Sequence, residues 1–159
     1  MLPPQFYYSL LILCWGYALV KGGAPERIGA SIIGIGSILS MAAVSGPSRS
    51  FVSVELGVFV VDLAALVAFL ALALRANRYW PLWVIALQFI GIAGHAVRLL
   101  DPEMMRRAYA FALIFWSYPM LFLVALGTFR HQRRLRRFGI DKSWSSSSTP
   151  STPRTESTH

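Results

Sequence analysis

Long apolar runs separated by short polar breaks make up the first 127 residues of the chain. Each run approaches the roughly 17–25 residues that a helix needs to cross a bilayer. None shows the alternation of apolar and polar residues that is typical of barrel strands. Glycine, proline or asparagine lies in every break. The pattern therefore predicts an all-α integral membrane bundle of five transmembrane helices, at residues 4–20, 28–44, 56–74, 82–100 and 108–127.

The first run is the shortest of the five, because its apolar part covers only Phe6–Val20. No lysine or arginine precedes it, and it lacks a clear cleavage site of small residues, so we interpret it as a retained helix and not as a signal peptide. A bundle of four spanning helices, with this segment peripheral, is the alternative.

The composition supports contact with lipid. Hydrophobic residues make up 55% of the 159 residues and charged residues only 14%, whereas a soluble domain has about 25% charged residues to cover its surface. The single cysteine, Cys14, excludes an internal disulfide and a multi-cysteine metal site.

The basic residues fall mainly on one side of the predicted bundle, which sets its orientation. In the five-helix arrangement, the side with fewer basic residues carries four of them: Arg49, Arg98, Arg106 and Arg107. The richer side carries Lys21, Arg27, Arg75, Arg78, Arg130, Arg133, Arg134, Arg136, Arg137, Lys142 and Arg154. We therefore expect the N-terminus outside and the C-terminus in the cytoplasm.

A basic segment at residues 130–142 follows the last span, and a Ser/Thr/Pro-rich tail at 143–159 follows that segment. The tail has too few apolar residues to offset its ordering entropy, so we expect it to be disordered. The basic segment should lie on the membrane surface and contact anionic lipids, rather than nucleic acid. The predicted lipid contacts are Arg130, Arg133, Arg134, Arg136 and Arg137.

Polar residues inside the spans are the best candidates for a functional site, because ionisable groups are costly in a membrane. Asp62 lies in the third span, and Gln88, His95 and Arg98 share one face of the fourth. Asp62, His95 and Arg98 lie at similar depths near the outer end, which makes an Asp62–His95 or an Asp62–Arg98 pair plausible. Glu55, two turns before Asp62, is a second candidate partner for Arg98.

This cluster has two interpretations. It is a polar pocket in which Asp62 binds a proton or cation and His95 titrates with it, since histidine changes charge near neutral pH. Alternatively, it is a structural interhelical contact without a further role. His95 is the only histidine within a span, so we expect neither a metal site nor another cofactor. The sequence also lacks a recognisable catalytic constellation.

The stretch RANRYWPLW at residues 75–83 lies between the third and fourth spans, on the richer basic side. Aromatic residues are enriched where a helix enters the headgroup layer, so this stretch is predicted to anchor the fourth helix at the membrane interface. The predicted anchor residues are Arg75, Arg78, Tyr79, Trp80 and Trp83.

The longer block LALRANRYWPLWVIALQFIGIAGHAVRLL is similar to a segment of uncharacterised small multi-pass bacterial membrane proteins. These proteins share an RxxRYWPLW helix entry that is followed by a glutamine and a histidine. The resemblance covers about a fifth of the chain. It implies a bacterial inner membrane and no particular chemistry.

Three functions remain open from the sequence. The first is a non-enzymatic accessory or assembly component of a membrane complex, which the small size and short loops favour. The second is a small transporter or proton-coupled carrier that uses Asp62 and His95, as a monomer or a homo-oligomer. An intramembrane enzyme that acts on a lipid or quinone has the least support.

Overall fold

The computed structural model describes residues 4–45, 51–100, 106–141 and 143–144. In these ranges the chain forms α1 (Pro4–Lys21), α2 (Ala24–Ser45), α3 (Phe51–Arg75), α4 (Trp80–Leu100) and α5 (Arg106–Phe138). Each of the five apolar runs lies within one helix, and the described residues contain no β-strand beyond an isolated bridge between Ala76 and Trp144. The all-α prediction is therefore confirmed.

The helices form a closed ring. Each packs against the next along the chain, α1 also packs against α5, and α2 contacts α5 across the bundle. The core is apolar and includes Phe69, Val84, Leu121 and Val124, whose side chains are almost completely buried.

Two glycines form the tight connection between α1 and α2. The amide of Gly22 donates to the carbonyl of Ala18 at 2.8 Å, and the amide of Arg27 donates to the carbonyl of Gly23 at 3.0 Å. A Cβ at Gly22 would collide with the Ala18 carbonyl oxygen, so a larger residue does not fit in this turn.

The end of the bundle at which α1, α3 and α5 finish and α2 and α4 begin is called the basic end below. It comprises residues 21–27, 75–80, 130–141 and 143–144. Here α5 continues through the basic run to Phe138, so most of the expected juxtamembrane segment is helical. Arginine, glutamine and leucine are good helix formers, which explains the continuation. The helix ends at Phe138, and the next residue, Gly139, has a φ of 71°, which favours glycine.

Two helices are long and apolar enough to cross a membrane in the part of the chain that the structure describes. They are α2, over Ala24–Val44, and α3, over Leu56–Arg75. The apolar part of α4, Trp80–His95, is shorter.

Candidate functional site

Asp62 and His95 lie side by side between α3 and α4. The Nε2 atom of His95 is 3.0 Å from Oδ2 of Asp62, so the structure contains the pairing that their similar depths predict. His95 is buried, with 3% of its side chain exposed, whereas 27% of the Asp62 side chain is exposed. The carboxylate therefore reaches the outer surface of the bundle and is not enclosed within it.

Neighbouring groups hold this pair in position. The side-chain amide of Gln88 donates a hydrogen bond of 3.0 Å to the backbone carbonyl of Asp62. The ring of Phe59 meets the His95 ring edge to face, with centroids 5.7 Å apart. Asp62 is thus bound through its carboxylate by one α4 residue and through its carbonyl by another, one heptad apart on the same helix face.

The other two members of the predicted cluster cannot be placed. Glu55 belongs to α3 and Arg98 to α4, but both side chains lie outside the described part of the structure. The described polar cluster therefore consists of Asp62, Gln88 and His95.

A second and larger polar cluster occupies the basic end, where the sequence predicts an interfacial anchor. Arg78 lies at its centre. Its Nε donates to Oε1 of Glu26 at 3.2 Å, and its Nη2 donates to Oδ2 of Asp141 at 2.6 Å. The Nε1 atom of Trp80 also donates to Oε1 of Glu26, at 3.2 Å. These residues connect the start of α2, the α3–α4 loop and the segment after α5.

Asp141 binds two further residues of α5. Its Oδ2 lies 2.6 Å from Nδ1 of His131, and its Oδ1 lies 3.0 Å from Nε of Arg134. The Arg134 contact is an ion pair whose geometry does not form a hydrogen bond. We call the six residues Glu26, Arg78, Trp80, His131, Arg134 and Asp141 the basic-end network.

The network corrects the anchor prediction for two residues. Arg78 and Trp80 are each only 8% exposed, so they bind other parts of the chain and do not face lipid headgroups. Tyr79 and Trp83 are 85% and 66% exposed, and the side chain of Arg75 is also exposed. These three side chains face the surroundings of the bundle, and their role as an interfacial anchor stays a prediction.

Trp80 enters the core because two glycines provide space for its ring. A Cβ at Gly127 of α5 would lie 2.9 Å from Cδ1 and Nε1 of Trp80, and a Cβ at Gly29 of α2 would collide with Cη2 of the same ring. The indole therefore fills the space between α2 and α5, while its N–H reaches Glu26.

The predicted lipid contacts also divide into two groups. Four of them have exposed side chains on α5, namely Arg130, Arg133, Arg136 and Arg137. The side chain of Arg134 is less exposed, at 35%, and pairs with Asp141. Four of the five arginines are thus accessible to a ligand, and one already has a carboxylate partner.

The chain after α5 covers the α3–α4 loop. The amide of Asn77 donates to the carbonyl of Ser143 at 3.2 Å, next to the bridge between Ala76 and Trp144. Residues 143 and 144 are therefore held against the bundle, although the sequence predicts disorder from residue 143 onward. The remainder of the predicted tail, 145–159, lies outside the described residues.

The basic-end network joins α2, the α3–α4 loop and the end of α5. Over the described ranges, no group of three or more histidine, cysteine, aspartate or glutamate side chains is placed to hold a metal ion. The basic-end network contains two carboxylates and two guanidinium groups, whose formal charges balance. Two buried side-chain atoms of the network, Oε2 of Glu26 and Nε of Arg134, have no hydrogen-bond partner among the described residues.

Sequence reasoning overlooked Glu26, His131 and Asp141. Glu26 and Asp141 are acidic residues on the side of the bundle that carries most of the arginine and lysine. Their opposite charge is the sequence signal that marks them as candidate partners. No protein-family model, curated protein or solved structure matches this chain significantly.

Proposed function

We propose that this protein is a five-span integral membrane protein that serves as a non-enzymatic accessory or assembly component of a membrane complex. Its N-terminus lies outside and its C-terminus in the cytoplasm. Following the sequence resemblance, the membrane is a bacterial inner membrane.

The outward-facing apolar side chains support the membrane assignment. All five helices expose large hydrophobic residues, such as Leu13 on α1, Ile35 on α2, Val67 on α3, Phe89 on α4 and Phe122 on α5. Only 22% of the apolar stretch of α2 and 17% of that of α3 is buried. The core helix of a soluble protein would be mostly buried, so a lipid environment accounts for this surface better.

The charge distribution supports the orientation. Exposed lysine and arginine residues cluster at the basic end and include Lys21, Arg27, Arg75, Arg130 and Arg137. Cytoplasmic ends of membrane helices carry an excess of such residues, so the basic end faces the cytoplasm.

One observation favours an accessory role over transport: an apolar layer separates the two polar clusters. The side chains of Phe69, Val84, Leu121 and Val124 are at most 2% exposed and fill the interior between the clusters. Trp80 of the basic-end network and Gln88, the nearest member of the outer polar cluster on α4, are eight residues apart, which corresponds to about 12 Å along the helix. A carrier needs polar groups along its path, and these four buried side chains provide none.

A groove between α2 and α3 provides a surface for a partner's transmembrane helix. It measures about 600 Å³ and is almost wholly apolar, with Arg27 at its basic end. Small residues line it, including Gly36, Ala64, Ala65 and Ala68. Small side chains let two helix backbones approach closely in a membrane, and Arg27 is available to an acidic group at the end of the partner helix.

The carrier remains the second candidate because of the Asp62–His95 pair. A carboxylate that is 27% exposed beside a buried histidine can exchange a proton with a ligand or with the outer face. In this alternative the apolar layer must open during the transport cycle.

Two experiments test the proposal. Reporter fusions at each terminus should place the N-terminus outside and the C-terminus in the cytoplasm, and both termini on one side would contradict the five-span topology. Native affinity purification of the tagged full chain should then recover a stoichiometric membrane-protein partner.

The groove provides the matched variants for the purification. Ala65→Leu fills the groove and should release the partner, whereas Leu63→Ala, at an exposed α3 position outside the groove lining, should retain it. Recovery of a homo-oligomer alone, with proton flux in liposomes that Asp62→Asn and His95→Gln abolish, would replace the accessory role by transport.

A further inference from the structure

A second groove lies at the basic end between α1 and α5, and neither polar cluster described above uses it. It measures about 390 Å³ and is lined by Tyr17, Lys21, Phe129, Gln132, Arg133 and Arg136. Three of these six residues are cations, and none is acidic. The groove therefore favours an anionic ligand.

The ends of the two helices are joined beside this groove. The side-chain amide of Gln132 donates to the backbone carbonyl of Lys21, the last residue of α1. On α5, residues 129, 132, 133 and 136 are spaced as one helix face. Lys21 is thus held next to Arg133 and Arg136 by a contact that requires no ligand.

The charges in the groove differ from those of the basic-end network. Arg78 and Arg134 each contact Asp141. Among the residues that the structure describes, Lys21, Arg133 and Arg136 form no ion pair with a carboxylate. Their charge is therefore available to a ligand.

Apolar residues continue from the groove toward the middle of the bundle. Helices α1 and α5 both end at the basic end and run in parallel. On α1, Leu13 and Tyr17 precede Lys21 at spacings of four residues. On α5, Phe122, Leu126 and Phe129 precede Arg133 on the same face.

All five of these apolar side chains are at least 36% exposed. The surface therefore changes along the helices from apolar to cationic, as an amphiphilic lipid does from its acyl chains to its headgroup.

We propose that this groove binds an anionic phospholipid whose headgroup carries two phosphates. Lys21, Arg133 and Arg136 contact the phosphates, and the acyl chains lie along Leu13, Tyr17, Phe122, Leu126 and Phe129. Three converging cations exceed the charge of a single phosphodiester, and basic pockets between transmembrane helices on the cytoplasmic side bind multiply charged headgroups. This inference rests on the proposed membrane embedding, with the basic end at the cytoplasmic headgroups.

The test compares two double variants of the full-length protein in phosphatidylcholine nanodiscs. Arg133→Gln/Arg136→Gln removes two charges that line the groove, and Arg130→Gln/Arg137→Gln removes two exposed charges of the same helix outside its lining. Binding of cardiolipin, which has two phosphates, and of phosphatidylglycerol, which has one, is measured by native mass spectrometry at equal total lipid charge.

The groove variant should bind cardiolipin about thirtyfold more weakly, because each basic residue contributes about 1 kcal/mol at an anionic surface and about 1.4 kcal/mol corresponds to a tenfold change. The control variant should lose less than about threefold. Phosphatidylglycerol should bind the wild type more weakly than cardiolipin. Equal losses in the two variants, or no preference for cardiolipin, would overturn the specific site and leave only diffuse attraction.

Two further measurements distinguish the lipid site from a free-phosphate site and from a folding defect of the variant. Inorganic pyrophosphate that displaces cardiolipin at a comparable concentration would show a site for free phosphate, which contradicts the lipid proposal. Lys21→Gln, whose exposed side chain contributes nothing to the core, repeats the test if the arginine variant fails to fold.

A reversed topology in reporter fusions, with cardiolipin binding retained, would refute the proposed orientation and leave the lipid site intact.

Discussion

Arg78 and Glu26 form an ion pair across 52 residues of sequence, with Nε 3.2 Å from Oε1 and with only 4% and 0% of the two side chains exposed. Removing two charges from water costs several kcal/mol per ion unless other polar groups compensate. Trp80 donates to the same Glu26 oxygen, and Asp141 accepts a second hydrogen bond from Arg78. The pair is therefore one part of a network that fixes the α3–α4 loop to α2 and to the end of α5.

Replacing Arg78 should destabilise the protein strongly. Arg78→Gln leaves the buried carboxylates of Glu26 and Asp141 without their shared cation, and we expect a loss of about 3 kcal/mol in the free energy of unfolding. Reversible unfolding in mixed micelles measures this quantity. Arg130→Gln, at an exposed position of α5, is the control and should change stability by less than about 0.5 kcal/mol.

A double-mutant cycle tests whether the effect arises from the pair. Glu26→Gln in the Arg78→Gln background should cost much less than Glu26→Gln alone, because Glu26 has already lost its cation. If the two losses simply add, the stability of this region arises from packing around Trp80, and the ion pair contributes little.

The chain after α5 should stabilise the bundle through Asp141 and Ser143. A protein ending at residue 140 loses the carboxylate that binds Arg78 and His131, together with the hydrogen bond from Asn77 to Ser143. We expect this truncation to lower the free energy of unfolding by about 3 kcal/mol, as for other broken buried pairs.

A protein ending at residue 145 is the matched control. It retains every contact described for this segment and should unfold at the temperature of the full-length chain. Equal thermal stability of the two truncated proteins in detergent would show that residues 141–144 do not brace the fold.

The sequence was sufficient to predict the five helices and to give Asp62–His95 as one of two candidate pairs, and the reasons differ. Apolar run length and turn residues depend on local sequence, so the helices could be found directly. The pair could be found because α3 and α4 are consecutive and antiparallel, so that depth along one helix predicts depth along the other.

The basic-end network could not be predicted in the same way. The contacts of Glu26 and Arg78 within it join residues 52 to 63 positions apart, in segments that are not consecutive. Whether an arginine next to a span faces lipid or the interior depends on the rotation of the helices, and only the assembled bundle determines that rotation. Counting the acidic residues on the basic side would still have identified Glu26 and Asp141 as candidate partners.

The Asp62–His95 contact should contribute modestly to stability. Interhelical polar contacts in membranes average about 0.6 kcal/mol and reach about 1.7 kcal/mol. A double-mutant cycle with Asp62→Asn and His95→Gln should give a coupling energy within this range. A coupling near zero would mean that the two side chains do not stabilise each other in the membrane.

Gln88→Leu is a matched variant for the same contact region, because Gln88 binds only the backbone of Asp62 among the described contacts. It should cost about 0.6 kcal/mol. Its effect should add to that of His95→Gln if the carboxylate and carbonyl contacts are independent. Strong non-additivity would indicate that Gln88 also positions the Asp62 side chain.

The glycines around Trp80 offer a final test, since they should tolerate substitution far less than other helical glycines. Gly29→Ala and Gly127→Ala place a methyl group against the indole ring, and overpacking of this kind costs about 1–3 kcal/mol. Gly16→Ala and Gly91→Ala are the controls, because a Cβ at either position has no neighbour within 4 Å. Alanine is about 1 kcal/mol more favourable than glycine within a helix, so the control variants should be neutral or more stable.

The measurement is again the free energy of unfolding in mixed micelles. If all four alanine variants are equally stable, the indole ring does not occupy the space between α2 and α5, and Trp80 faces the membrane interface as the sequence alone suggests. If only the Gly29 and Gly127 variants are destabilised, the buried position of Trp80 is established independently. The indole N–H reaches the Glu26 carboxylate only when the ring lies between Gly29 and Gly127. The hydrogen bond to Glu26 therefore depends on the close packing of α2 and α5 around the ring.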